Sequence, residues 1–318
     1  MKYYLDFEEP LRILDEEIHL KEAIIEPSKD NTKEVTILLE KRSKKINEIH
    51  LSLSRWQRVQ LARHPDRPFS KDYIDLIFTD FVELHGDRLF ADDPAVICGI
   101  AKLDHKKVVI IAQQKGRNTK DNLYRNFGMM RPEGYRKALR IMKLAEKFNL
   151  PVITFMDTPG AFPGIGAEER GQGEAIARNL LNMSSLKVPI VSIVIGEGAS
   201  GGALGIGVCD SFLMMQNTWY SVISPEGCAS ILFRDATKAE EAAEALKVIP
   251  DDLVKMGICD KIIEEPNGGA HRDIKSSSQN LKASILGEIT ELESVDPPSF
   301  IDLRIQKYDK LGVYEELK

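Results

Sequence analysis

Apolar and polar positions change rhythm three times along the chain. From residue 1 to about 55 the sequence is rich in charge, and Val35, Leu38, Leu39, Ile46 and Ile49 recur at spacings that predict an amphipathic helix. Its apolar stripe needs a covering surface, so this arm is expected to pack on the core or on another subunit. From about 56 to 265, short apolar runs alternate with helical periods and Gly-rich turns. Val96–Leu103 and Val108–Gln113 read as strands of a hairpin turned at Asp104-His105-Lys106-Lys107. A helix follows over Pro132–Phe148, with Tyr135, Leu139, Met142 and Ala145 on one face and Pro132 in the first turn, where its missing N–H does no harm. Next come a buried strand Val152–Met156, a long Gly-rich loop and a helix Glu168–Met183. The strand Ile190–Ile195, the turn Gly196–Gly202, a short helix and the strand Ser211–Met215 complete the zone. Helical periods return in Ile274–Leu292 and Ser299–Leu311, parted by Pro297-Pro298. The expected organisation is a helical arm (1–55), an α/β domain (56–265) and a C-terminal helical segment (266–318). Strand pairs alternating with helices suggest stacked ββα units rather than a simple doubly wound sheet.

Composition narrows the classes. At 318 residues with 43% apolar content, a substantial core is available. Lys and Arg number 43 against 49 Asp and Glu, a net charge of −6, which argues against a general polyanion binder. Cys98, Cys209, Cys228 and Cys259 form no CxxC and read as reduced, buried thiols. The acidic opening lacks the apolar run of a signal peptide, and no stretch approaches the roughly 20 apolar residues that span a bilayer. A cytoplasmic protein is expected. The six histidines are scattered without an HExxH pattern, so no metal site is expected, and no phosphate-loop signature occurs.

Two Gly-rich segments carry the candidate chemistry. Asp157-Thr158-Pro159-Gly160-Ala161-Phe162-Pro163-Gly164 and Gly196-Glu197-Gly198-Ala199-Ser200-Gly201-Gly202 each follow a buried strand and precede a helix. Helix N-termini present unpaired N–H groups, and glycine lets backbone approach a ligand closely. Such a place suits an oxyanion, an enolate or a phosphate. Tight turns and close helix packing are the structural alternative for both. The second segment also fits G-x-S-x-G, the elbow of serine hydrolases, with Ser200 as nucleophile and His271 the only histidine downstream. Between Lys115 and Lys147 ten basic residues stand against three acids, +7 in an acidic chain. Lys137, Arg140, Lys143 and Lys147 read as a solvated helix face. Lys115 and Arg117, at a strand end, suit an anionic substrate.

Several longer stretches resemble one family. Gln114-Lys115-Gly116-Arg117, Asn126-Phe127-Gly128-Met129, Pro132-Glu133-Gly134-Tyr135-Arg136-Lys137-Ala138, Asp157 to Gly164, Gly166 to Gln172 and Ser221 to Ala229 are similar to the carboxyltransferase α subunit of bacterial and plastid acetyl-CoA carboxylase. Leu61-Ala62-Arg63-His64-Pro65 and Gly268-Gly269-Ala270-His271-Arg272 agree as well, so the resemblance spans essentially the whole chain. It implies a crotonase-like α/β fold and transfer of a carboxyl group from carboxybiotin to acetyl-CoA, giving malonyl-CoA for fatty acid synthesis. It also implies a β subunit in an α2β2 assembly, a biotin carboxyl carrier protein bearing the covalent biotin, and a separate biotin carboxylase that uses ATP. A cytoplasmic location follows, or the plastid stroma in a plant.

In such proteins the backbone N–H groups at Gly201 and Gly202 serve as an oxyanion hole for the biotin ureido oxygen, while β supplies the acetyl-CoA side. Gly160, Ala161 and Gly164 of the Asp157 to Gly164 loop, with Gly198, are then expected to line the pocket, and Lys115 or Arg117, placed at the strand end, is the candidate for holding the transferred carboxylate. A related carboxyltransferase for another acyl-CoA and the Ser200 hydrolase are the alternatives.

Overall fold

A β-strand whose residues are apolar on both faces is stable only between two layers. The computed structural model describes residues 3–24, 29–296 and 299–312, and meets that demand. Pro297-Pro298, expected to part the two C-terminal helices, lies outside the described residues. Eight strands, β1 (Thr79–Glu83), β2 (Val96–Leu103), β3 (Lys106–Gln113), β4 (Val152–Thr158), β5 (Ile190–Ala199), β6 (Ser211–Met215), β7 (Trp219–Ser221) and β8 (Lys261–Ile263), form one sheet among the described residues. Its order is β1-β2-β3-β4-β5-β6-β8, with β7 paired to β5 off that path. The β1, β2 and β3 pairings are antiparallel; from β3 to β8 every pairing is parallel.

Alternation along each central strand feeds two cores. Val109, Ile111, Val152, Met156, Ile190 and Val194 join one cluster. Their neighbours Val108, Ile110, Ile153, Phe155, Val191 and Ile193 join the other. The first is covered by the helix Pro132–Phe148, whose Tyr135, Ala138, Ile141, Met142 and Ala145 are fully buried, and by the helix Gln172–Ser185. The second is covered by Tyr73, Ile74 and Ile77 of the helix Ser70–Ile77 and by Leu281, Ile285 and Ile289 of the helix Ile274–Leu292. Those last three are spaced by four, one stripe of a helix. The following helix, Ser299–Asp309, is pinned by Arg304, fully buried, which donates to Asp210 and to the carbonyls of Met183, Leu186 and Val188.

The hairpin, the helix Pro132–Phe148 and the strands Val152–Met156, Ile190–Ile195 and Ser211–Met215 form as the periodicity predicts, two strands running further. Two expectations change. The helix expected over Glu168–Met183 is two, Ile165–Glu169 and Gln172–Ser185, because Gly171 takes φ +79° between them. The turn expected at Gly196–Gly202 is strand as far as Ala199; the chain then breaks at Ser200 (φ +56°) straight into the helix Ser200–Leu204.

The N-terminal arm is a pair of helices, Glu9–Glu22 and Lys29–Leu51, closed by Leu14, Ile18 and Leu38. Leu39 of the expected stripe is exposed. The first of these helices went unpredicted, its apolar Leu11, Leu14 and Ile18 hidden among acidic residues. The arm does pack on the core: Arg272 pairs with buried Glu8 at 2.7 Å, and Asn267 bonds Asn47.

Candidate active site

Ligands of parallel sheets bind beyond the carboxyl ends of the strands. Here β3, β4 and β5 end side by side, and their last side chains are tied together. The buried amide of Gln113 donates to the Gly202 carbonyl at 2.7 Å and accepts the Asp157 N–H at 3.1 Å. Asp157 Oδ1 in turn accepts the Glu197 N–H at 3.1 Å. The β5 ladder splits at this point, Val191–Val194 pairing with β6 and Glu197–Ala199 with β7. Strand β5 therefore reaches past its neighbours and carries Ser200–Leu204 over the end of β4.

The two Gly-rich segments meet there, backbone against backbone. A Cβ on Gly202 would lie 2.5 Å from the Gly160 oxygen and 2.7 Å from the Ala161 nitrogen, so only glycine permits this approach. Thr158 fixes the loop, its hydroxyl donating to the Gly160 carbonyl at 2.7 Å and accepting the Gly160 N–H at 3.2 Å. Gly201 differs: a Cβ there meets only Ile176, at 3.5 Å. Gly201 and Gly202 occupy the first turn of their helix, where N–H groups have no acceptor within it. The structure thus gathers Gly160, Ala161, Gly201 and Gly202. Gly198 and Gly164 are placed for packing instead, the first against the Tyr220 ring and the second against Phe162.

Beside these loops lies a chain of buried charge. Lys115 Nζ sits 2.6 Å from Asp157 and 2.7 Å from Glu197; Arg63 bridges Glu197, at 2.6 Å, to Glu226, at 2.5 Å. Burial alone would push the Lys115 ammonium down, but Asp157 and Glu197 hold it above its ordinary value. Burial likewise pushes the Glu197 carboxyl up, and Lys115 with Arg63 outweighs that and holds it below the usual range. Lys115 is therefore committed to two carboxylates. Arg117 pairs with Asp72, donates to the carbonyls of Pro65 and Arg67, and stacks on Phe69 at 4.1 Å, yet remains 43% exposed.

The basic excess from Lys115 to Lys147 is largely spent inside the molecule. Lys137, expected on a solvated face, is fully buried on Asp92 (2.6 Å) and the Asp93 carbonyl (2.8 Å). Arg140 donates to the carbonyls of His85 and Gly86. Periodicity placed these heads outward because it cannot see the loop that folds over them.

A cavity of about 360 Å³ opens beside this network, walled by Arg63, Phe69, Lys115, Arg117, Phe127 and Pro159. Reasoning from the sequence did not single out Phe69 or Phe127 for this role. Asn126-Phe127-Gly128, residues at φ +48°, +56° and +80°, is the one local signal, since Asn and Gly flank a strained turn.

Ser200 and His271 are not brought together. His271 stacks on His64 at 3.8 Å between centroids, near Glu8, and no hydrogen bond joins it to Ser200 among the described residues. His64 Nδ1 accepts the Asp66 N–H at 3.1 Å, so its proton sits on Nε2, and burial pushes both imidazoles down. His64 Nε2 and both ring nitrogens of His271 are nevertheless buried without a hydrogen-bond partner among the described residues. With Glu8 they form a group whose ligand atoms lie within 4.8 Å of one another and could hold a metal ion, where the scattered histidines of the sequence suggested no metal site. Ser200→Gly, which suits φ +56° and keeps the backbone N–H groups, is expected to leave turnover and melting temperature at wild-type level. A loss of orders of magnitude in a turnover assay would return the hydroxyl to the chemistry.

Comparison with known proteins bears on the family and the fold. Residues 4–312 match the family described as acetyl co-enzyme A carboxylase carboxyltransferase-like. The acetyl-coenzyme A carboxylase carboxyl transferase subunit alpha of Methylococcus capsulatus is 54% identical over 314 residues, covering 98% of each chain. Among solved structures, transcarboxylase 12S superposes with a TM-score of 0.54 at 20% identity, over 69% of this chain and 42% of that one. The geranyl-CoA carboxylase beta subunit of P. aeruginosa gives 0.56 at 15%, over 77% and 46%. These two show the fold, which is crotonase-like as the resemblance implies. By a match over nearly its whole length, this chain belongs to the acetyl co-enzyme A carboxylase carboxyltransferase family.

Proposed function

We propose that the chain is the α half of an acetyl-CoA carboxylase carboxyltransferase, working with a β subunit in an α2β2 assembly in the cytoplasm. The observation that carries this reading is the backbone contact of Gly160 with Gly202, inside a sequence 54% identical to a carboxyl transferase subunit alpha. Carboxybiotin, delivered on a carrier protein that a separate ATP-dependent biotin carboxylase has charged, supplies the activated carboxyl group. Acetyl-CoA receives it and becomes malonyl-CoA.

The residues fit that group without a nucleophile. Gly201 and Gly202 offer two adjacent N–H donors to a developing oxyanion, in a place where neither donor must reorganise. Gly160 and Ala161 back the donors and hold their direction. Gln113, Asp157, Lys115 and Glu197 fix the strand ends beneath them, so Lys115 acts by positioning. Arg117, half exposed at the rim of the cavity, is the group that receives the carboxylate. This donor pair is completed by the partner's own oxyanion donors on the acetyl-CoA side.

Reconstitution tests the function. Purified chain, a β subunit from a relative and biotinylated carrier charged with carboxyl should yield malonyl-CoA, and omission of this chain should abolish it. No product from any combination would leave a non-catalytic scaffold as the better account.

A further inference from the structure

Phe127 is held where a bulky residue is least at ease. Its φ and ψ are +56° and +28°, between Asn126 at φ +48° and Gly128 at φ +80°. Left-handed backbone disfavours any side chain with a Cβ, and such strain persists only when its surroundings impose it. They do so here. Buried Asn126 accepts from Arg131 at 3.0 Å, and a Cβ on Gly128 would lie 2.8 Å from the Asp157 carbonyl oxygen, so the turn is clamped against the end of β4. The strain does not serve the core, since the ring is 44% exposed and lies on the wall of the cavity. Among the described residues it has no aromatic or cationic ring partner, whereas Phe69 on the same cavity is capped by Arg117.

We propose that Phe127 is a specificity-determining residue, forming the aromatic wall on which the fused ring of the biotinyl group rests in the cavity that it lines with Phe69 and Arg117. The inference rests on the functional reading above. Three features select that ligand over coenzyme A. The volume of about 360 Å³ is at the small end of ligand pockets and suits a bicyclic ring with part of its alkyl arm. The walls pair an aromatic face with a cation, matching a ring of low polarity that bears a carboxylate. Pro159, on the cavity wall, precedes Gly160, which touches Gly202. A ring seated there is led toward the N–H donors by the chain itself.

The test uses the reconstituted αβ enzyme in reverse, with malonyl-CoA and free biotinyl-lysine as substrates. Phe127→Ala is expected to raise the KM for biotinyl-lysine by about tenfold or more, with that for malonyl-CoA changed by less than about twofold. Phe127→Trp should retain most of the affinity. Phe127→Gly should show the same KM defect with an unchanged or higher melting temperature, because glycine relieves the backbone, so misfolding does not explain the loss. An unchanged biotinyl-lysine KM in Phe127→Ala, or a rise confined to malonyl-CoA, overturns the assignment while the functional reading stands. An inactive wild-type assembly overturns both.

Discussion

Gly202→Ala is expected to lower carboxyl transfer by about 10²–10³-fold, the usual effect of removing one oxyanion donor. The reason is steric and local. The new methyl would sit 2.5 Å from the Gly160 oxygen and 2.7 Å from the Ala161 nitrogen, and neither is a side chain that can swing away. The helix Ser200–Leu204 or the loop after Thr158 has to shift, and either movement turns the N–H donors from their target. Gln113, bonded to both the Gly202 carbonyl and the Asp157 N–H, transmits the displacement to the end of β4. Gly201→Leu makes the contrasting case. Its first atom meets only Ile176, at 3.5 Å, so the folded chain tolerates it and the melting temperature holds. Turnover should still be lost, because a bulky side chain beside the first-turn N–H groups restricts access to them. Steady-state kinetics beside thermal melts and co-purification with β separates the two. Normal turnover in both variants would remove the oxyanion role.

Lys115→Met is the second large effect, and it reaches stability as well as activity. Removing the ammonium leaves Asp157 without its cation and Glu197 with Arg63 alone, both nearly inaccessible. Breaking a buried pair from one side costs about 3–5 kcal/mol, which for a chain of this size lowers the melting temperature by about 5–7 °C. Activity falls with it, since Asp157 also holds the Glu197 N–H. A pH series supplies a second reading. Glu197, held below its ordinary value by Lys115 and Arg63 despite burial, contributes stability that is complete above the unfolded pKa. That contribution disappears as pH falls through the lower folded pKa, so wild-type stability should decline below about pH 4. In Lys115→Met the acid limb should be shallower, because the folded carboxyl lies closer to its unfolded value. A melting temperature and acid limb both equal to wild type would show that the ion network carries no weight.

The layered fold was legible because it depends on local periodicity. Val108–Gln113 and Val152–Met156 are buried on both faces, and the helix Pro132–Phe148 carries its own boundaries in Pro132 and in Asn149 at φ +53°. The two Gly-rich segments stood out from composition alone. What they do to each other did not, because the contact of Gly160 with Gly202 spans two strands and depends on β5 outrunning β4. Pairing was illegible for the same reason. Lys115 read as a free cation at a strand end, and nothing nearby in sequence announced that Asp157 and Glu197 would close on it. Phe127 was hidden differently: a single exposed aromatic has no period, and Asn126 and Gly128 beside it signal a turn without signalling a cavity wall.

On the proposed function, the backbone N–H groups of Gly201 and Gly202 bind the oxyanion on the biotin side. A crystal structure of the reconstituted complex with biotinyl-lysine tests it most directly, through the distances from the ureido oxygen to those two nitrogens. Both are expected at about 3 Å, the reach of an oxyanion-hole donor. A ureido oxygen held by other groups, with the two N–H donors turned to protein acceptors, would contradict the account.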